Sequence, residues 1–517
     1  MTSRQMVARN AVWNGVGTAA EMLSGFLVAP YLVRSLGATT YGLWILIASM
    51  TGYFALLDLG VRGSVGRQIA FHRARGDREG VNHALGAALA ILAGAALFAL
   101  VLTGLAREVF PLIFEVPPDR VAEVRLATLI VGVNLAASLL GNAFDATLWG
   151  MQRFDLLNAV DIPVTLARVG LTFWLVGTGG SDLFRLAAIT LGVTLLGGAS
   201  KAVLSFRVDR GLAVGWAGVN SASIRPLLGY GSSYFLLSFA QMAAAQFTPI
   251  LIGLRLGVAL VTPFSIAMRL ISYARSVVVA GTGVITPVAT ALHAGGEEHK
   301  QRDLLTIGGR YCSAAALFFL GFFALLGEGF IETWMKTRMP TAGACLRILA
   351  AGEVVAMSQW ISHSVILGRG GHRRLAALWL AEAVCVLAIG SVVVKPYGLV
   401  GLSVTIAGSS LAFRGLGQMI YACRLTQVRV GHYLASSVAP ALVASIGPIA
   451  VLAGIVATCR VATWWHMISC LAVYGIGWGL AMAPMILADR RQRDEMLSAG
   501  RSPDQPAAAA VAGASRS

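Results

Sequence analysis

The sequence predicts an all-α integral membrane protein with about fourteen transmembrane helices, and three observations carry that reading. Of 517 residues, 57% are hydrophobic and only 12% are charged. The mean hydropathy is +0.74. A soluble fold of this length has no core large enough to hide so much apolar surface, because cores stop growing at about 250–300 residues. The apolar runs are about 20 residues long, the length a helix needs to cross a bilayer. They lack the two-residue alternation of barrel strands.

The runs fall near 10–33, 42–66, 84–106, 122–147, 158–177, 184–204, 227–252, 261–288, 309–332, 344–366, 376–394, 400–422, 435–457 and 464–487. The first could be mistaken for a signal peptide, since Arg4 and Arg9 precede it. It is longer than the 7–15 apolar residues of a signal core, so it is taken as a retained first span. Orientation follows from the Lys/Arg bias of loops. With the N-terminus inside, the inner loops hold Arg67, Arg73, Arg75, Arg78, Arg153, Lys201, Arg207, Arg210, Arg369, Arg373 and Arg374 among others, and the outer loops are poorer. The expected topology is multi-pass in the cytoplasmic (inner) membrane, both termini cytoplasmic. The net charge of +16 then needs no nucleic-acid partner.

The two halves run through similar events. Gly37 to Gly76 covers a loop, a span and a basic turn, and Gly257 to Gly296 covers a loop, a span and a turn followed by Glu297 and Glu298, in an equal interval. The expected organisation is an N-lobe over 1–208 (spans 1–6), a cytoplasmic linker over 209–226, and a C-lobe over 227–425 (spans 7–12). Spans 13–14 occupy 426–488, and 489–517 is a Pro-broken, disordered cytoplasmic tail. A six-span shift preserves orientation, so the lobes are expected to be parallel repeats, whose interface is where transporters bind substrate.

Charge inside a span costs roughly 2.5–3.5 kcal/mol on insertion scales, so each such residue asks for a reason. Glu21, Arg168, Arg275, Glu353 and Arg414 lie deep, and Arg269 lies shallower. Asp58 and Arg62 sit four apart on one helix face and can pair. Asp145, Asp161 and Glu382 lie toward the inner end, and for these three, as for Arg62 and Arg269, snorkelling or capping is the competing reading. For the deep residues, interhelical salt bridges compete with a water-filled cavity in which arginine forks would bind phosphate and buried carboxyls would exchange protons. Gln241 and Gln246 offer hydrogen bonds to a sugar, or act as glue between helices.

Several patterns mislead. Gly15-Val-Gly17-Thr-Ala-Ala20 imitates a dinucleotide loop but lies in an apolar span, where small residues serve close helix packing. The six cysteines form no CxxC pair and the eight histidines no metal spacing, so neither a cofactor nor a metal is expected.

The run from Pro30 to Ala70 carries Leu36-Gly37, Tyr41-Gly42, Trp44, then Leu56-Leu57-Asp58-Leu59-Gly60, and is followed by the basic Ala74-Arg75-Gly76-Asp77 turn. With Gly150-Met151-Gln152-Arg153 after span 4, it resembles the polysaccharide-biosynthesis flippases, O-antigen-flippase-like members of the multidrug/oligosaccharidyl-lipid/polysaccharide exporter superfamily. The resemblance implies a V of two six-helix lobes around a central cavity, lined by spans 1, 2, 7 and 8. It implies flipping of polyprenyl-pyrophosphate-linked oligosaccharide by alternating access, for exopolysaccharide, capsule or O-antigen (lipopolysaccharide) synthesis. A polysaccharide polymerase and glycosyltransferases would be partners, alongside membrane lipid. Arg269, Arg275 and Arg62 would meet the pyrophosphate, joined as substrate-binding residues by Arg168, Arg414 and Gln241. Glu21, Asp58 and Glu353 are the ion-coupling candidates. Span 1 offers Glu21 rather than a deep arginine, unlike the peptidoglycan-precursor branch. Two alternatives stand: a multidrug/toxin cation antiporter of the same superfamily, and a membrane glycosyltransferase or polymerase. Against the latter, the longest outer loop, Ala106 to Val121, is short for an active site.

Overall fold

The computed structural model describes residues 3–58, 61–177, 182–215, 219, 224, 239–282 apart from 241 and 244, 285–459 and 463–499. Side chains are described from residue 15 to residue 489, apart from those within the gaps and residues 55, 56, 61 and 62. Among the described residues the chain is helical and has no strands. Eleven helical stretches are long and apolar enough to cross a membrane. In lipid the backbone must satisfy its own hydrogen bonds, which is why apolar runs of this length become helices.

The helices are α1 (Ser3–Gly52), α2 (Val61–Ala74), α3 (Arg78–Ile113), α4 (Val121–Gly150), α5 (Phe154–Leu175) and α6 (Asp182–Val208). Residues 245–256 are helical and form α7. There follow α8 (Val261–Thr282), α9 (Ile285–Ala294), α10 (Glu298–Met335), α11 (Pro340–Ser358), α12 (Trp360–Gly368), α13 (His372–Ser410) and α14 (Gln418–Thr426). The last are α15 (Val430–Tyr433), α16 (Ala439–Thr458) and α17 (Trp464–Ala499). The 209–226 linker and the first half of the expected seventh span fall largely outside the described residues. So do residues 500–517, while α17 carries the helix on to Ala499.

Two of these helices are folded back on themselves. Gly37 takes φ 77° and ψ 166° inside α1, and Gly398 takes φ 59° and ψ −147° inside α13. Both conformations belong to glycine, which has no Cβ to clash. Around Gly398, residues pair symmetrically: Gly390 packs on Leu402, Glu382 bonds Arg414, and Leu378 lies against Gly417. That is an antiparallel hairpin. Around Gly37, Gly25 packs on Tyr273 and Arg269, Ala38 accepts a hydrogen bond from Thr262 at 2.6 Å, and Gly52 packs on Gln246. The chain thus rises past the middle of α8 to its first residues, then descends beside α7.

Left-handed residues recur along the chain. Gly37 and Gly257 both have positive φ and lie 220 positions apart, as do Gly76 and Gly296. Gln152 and Gly370 are 218 apart, and Gly177 and Gly398 are 221 apart. Each ends a helix or turns it, so the breaks in the first half have counterparts in the second.

The cores divide in an informative way. One cluster joins both halves near the Gly37 and Gly257 turns, with Leu43, Leu46, Phe110 and Val176 against Val258, Phe264, Phe323 and Trp334. Phe26 stacks on Trp334 with ring centres 4.8 Å apart, and the Trp334 indole N–H donates to the Phe26 carbonyl. Toward the Gly76 and Gly296 turns there are two separate clusters. One holds Val65, Ile69, Leu85 and Leu139, and the other Leu305, Ile361, Val365 and Tyr433. Among the described residues the halves therefore share one core at one end and keep separate cores at the other.

Small residues set the close crossings, as their place in the spans predicts. A Cβ on Gly66 would lie 2.2 Å from the Trp149 ring, and one on Gly17 would lie 2.4 Å from Asn158. Four of the cysteines are buried, Cys385 is half-buried and Cys459 is exposed; all six are free thiols.

Candidate functional site

A cavity of about 800 Å³ opens in the chain's interior. Ser49 of α1 reaches it from the first half, and Gln246, Arg269 and Arg275 from α7 and α8. Glu353, Trp379, Glu382 and Arg414 close it from the second half. Arg269 and Arg275 are six residues apart on α8, so about 9 Å separates them along the helix axis.

Arg269 is packed among aromatic and backbone oxygens. Its Nη1 lies 3.5 Å from the Gly25 carbonyl, and Tyr273 one turn on lies against the same Gly25. Among the described residues it has no acidic partner within salt-bridge distance. A guanidinium keeps its charge in any surroundings, so Arg269 contributes a positive charge to the cavity wall that carboxylates do not cancel.

Arg275 is shared. Its Nη2 donates to Glu353 Oε2 at 2.5 Å, while its Nε has no partner among the described residues. Glu353 is 1% exposed and is held on three sides. It also accepts from both Arg414 amino groups and lies 2.8 Å from the Ser410 hydroxyl. Arg414 turns its Nε onto Glu382 at 2.7 and 2.9 Å. Ser410 Oγ sits 2.8 Å from Glu382 Oε1 as well, and its single proton serves one carboxylate at a time. Two arginines and two glutamates thus form a neutral cluster, the arrangement a low-dielectric interior requires.

Local backbone explains how Arg414 reaches both acids. It lies in a π-helical turn, Leu411–Gly417, that continues α13 into α14. Such a turn widens the helix and is frequent at functional sites. Gly415 packs beside Val355 and Gly417 beside Leu378, bringing this turn close to α11 and to the first limb of α13. Gly352, the residue before Glu353, abuts the Ala407 backbone so closely that a Cβ there would sit 2.2 Å from its carbonyl oxygen.

The other sequence-derived positions scatter. Glu21 is exposed on α1. Asp58 ends a 3-10 turn after α1, and the Arg62 side chain and Gln241 lie outside the described residues. Arg168 is half-buried on α5, away from the cavity lining. Every donor nitrogen of Arg414 is engaged by Glu353, Glu382 or Ser410, whereas among the described residues Arg275 engages only its Nη2.

Four residues escaped the sequence reading in the part they play. Glu382, by its position toward the inner end a snorkelling or capping acid, anchors the buried cluster instead. Trp360 and Trp379 line the cavity and carry no charge pattern to flag them. Lys201, counted as a loop cation, is buried in the first half and bonds Asp145 and Asp161, each at 2.7 Å. The only usable signal was spacing: Ser410 and Arg414 stand one helical turn apart in an otherwise apolar limb.

Comparison with known proteins decides the family. The family model described as polysaccharide biosynthesis protein matches residues 7–293. The chain belongs to this family. A stretch of 67 residues is 34% identical to a candidate O-antigen transporter of Shigella flexneri; it spans 13% of this chain and 16% of that protein. Among solved structures, an inward-facing multidrug resistance MATE transporter of the MOP superfamily matches with a TM-score of 0.67 at 15% identity, over 81% of this chain and 96% of its own. An outward-facing form matches at 0.60 and 15%, over 84% and 97%. A MOP-superfamily transporter of Pyrococcus furiosus, described as having a binding pocket of reversed polarity, matches at 0.58 and 14%, over 82% and 95%. This polysaccharide-biosynthesis family member is therefore a multi-pass membrane protein with the MOP transporter fold.

Proposed function

We propose that this protein is a flippase that moves a polyprenyl-pyrophosphate-linked oligosaccharide across the cytoplasmic membrane by alternating access. The observation that carries the reading is Arg269, a guanidinium without an acidic partner among the described residues, with Arg275, whose side chain is 32% open, on the same cavity wall. Forked guanidinium donors match phosphate oxygens in geometry and charge. The expected N-lobe and C-lobe act as parallel six-span repeats, a reading the paired left-handed turns support. The basic loops put the divided end of the molecule in the cytoplasm, so the cavity meets substrate from the side where it is made. Both termini are then cytoplasmic, and a polymerase and glycosyltransferases work on the same substrate.

The charge balance speaks against a multidrug cation antiporter. Glu353 and Glu382 are saturated by Arg275, Arg414 and Ser410, so that among the described lining residues the free charge is positive. For a glycosyltransferase the outer connection is too spare. Between Ile113 and Val121 it holds a few residues, and Glu108, one of its neighbouring acids, pairs with Arg107 and Arg125. The test is Arg269→Ala and Arg275→Ala in a strain lacking the native gene. Surface polysaccharide should fall at least tenfold while lipid-linked oligosaccharide builds up on the cytoplasmic leaflet and protein levels hold. Normal export in both variants would refute the reading.

A further inference from the structure

Beside the large cavity lies a niche of about 10 Å³, bounded by Arg275, Trp360, Trp379, Arg414 and Gln418. That is close to the smallest space that holds one water-sized group. Its walls are unusual for their idle polar atoms. Gln418 is 2% exposed, and its Nε2 donates to the Gln359 carbonyl at 2.7 Å. That bond fixes the amide, and Oε1 is left without a partner among the described residues. Trp379 Nε1 and Arg275 Nε are likewise buried and unpartnered. An unpaired buried polar atom is costly, and the residues that bound this single-group space leave one acceptor and two donors unpartnered, the set that one hydroxyl can satisfy.

The mouth of the niche is aromatic. Trp360 and Trp379 line both the niche and the cavity. His363 backs Trp360 with ring centres 4.8 Å apart and planes 18° from parallel, and sits 5.6 Å from Trp379. Arg414 lies 5.6 Å over Trp379 from another direction. The platform is therefore braced before any ligand arrives. Behind it, Gln359 is itself fixed, with the Ser362 and Tyr433 hydroxyls donating to its Oε1.

We propose that this is a sugar subsite: a pyranose lies on Trp360 and Trp379 and seats one hydroxyl in the niche, donating to Gln418 Oε1 and accepting from Trp379 Nε1 or Arg275 Nε. The C–H face of a pyranose is apolar and suits an indole, while its equatorial hydroxyls project at the edge. The proposal rests on the flippase reading, since Arg275 would hold the pyrophosphate beside the first sugar.

The experiment uses the full chain in lipid nanodiscs and two probes, farnesyl pyrophosphate and the same pyrophosphate bearing N-acetylglucosamine. The wild-type protein should bind the glycosylated probe at least tenfold more tightly. Gln418→Leu and Trp360→Leu should each bring that ratio close to one while leaving farnesyl pyrophosphate affinity unchanged. Gln418→Glu keeps the acceptor and should retain most of the preference. Equal wild-type affinity for the two probes, with Arg275→Ala still weakening both, would show a niche that holds water only; it would overturn the subsite and spare the flippase reading. Farnesyl pyrophosphate binding that ignores Arg275→Ala would overturn both.

Discussion

Arg275 and Glu353 meet at 2.5 Å, yet 32% of the arginine side chain is open and only 1% of the glutamate. The pair is one-sided. Glu353 would keep Arg414 and Ser410 if Arg275 were lost, whereas the open part of Arg275 faces the cavity. This separates a cavity-facing arginine from a structural one, and it makes their mutants behave differently.

Arg414→Met should be destabilising where Arg275→Ala is not. Removing Arg414 strands Glu353 and Glu382 in a buried setting, a loss of about 3–5 kcal/mol for a broken buried pair. Thermal unfolding in detergent should show a lowered midpoint for Arg414→Met. Adding Glu382→Gln to it should recover part of the loss. An unaltered midpoint in Arg414→Met would contradict the structural role.

Lys201→Met should show the same pattern in the first half. The ammonium bonds both Asp145 and Asp161 between α4, α5 and α6 and offsets one of their two charges; its removal should cost on the order of 3–5 kcal/mol, chiefly through the buried Asp145. Asp145→Asn introduced together with Lys201→Met should relieve part of the cost, as read from protein yield and unfolding midpoint. Additive losses in the double variant would argue that the groups do not interact.

Gly37→Ala and Gly398→Ala test the fold-back turns. No neighbouring atom lies within 4 Å of a Cβ added at either position, so the penalty comes from backbone alone. Glycine-only conformations cost other residues on the order of 1–3 kcal/mol. Gly94→Ala, also with open space but with ordinary helical backbone, is the control and should be neutral or slightly stabilising. Equal behaviour of all three would discount the turns.

The loop before α3 should respond to acid. Asp77 caps α3, accepting from the Gly80 amide at 2.8 Å, and it meets His72 at 2.7 Å. The Gly80 N–H, then His72, hold its carboxyl below the usual carboxylate range. A depressed folded value means the cap is fully present above the ordinary carboxylate pKa and is lost as pH falls through the lowered one. Amide exchange at Gly80 and Val81 should therefore be slow at neutral pH and speed up, beyond the intrinsic pH trend, only in strong acid. Asp77→Ala should exchange fast at every pH.

The sequence exposed much of the fold because hydropathy acts locally. Runs of about 20 apolar residues become helices wherever lipid surrounds them, and the glycines at 37 and 257 stood at loop positions that the backbone uses as left-handed turns. The site was less legible. Arg275, Glu353 and Arg414 stood out as deep charges, but nothing local said that all three join Glu382 in one neutral cluster. Glu382 seemed peripheral by position and is central by contact. Trp360, Trp379 and Gln418 are ordinary residues for helices and become a niche only because α8, α11, α12, α13 and α14 converge there.

The sequence by itself determined that the chain is a helical membrane protein with basic loops, because burial of apolar surface and placement of charge depend on short stretches of residues. Tertiary structure alone decided which arginines are spent on carboxylates and which remain open to a ligand. That distinction depends on distances of about 3 Å between residues 60 to 80 positions apart, and no local preference encodes it.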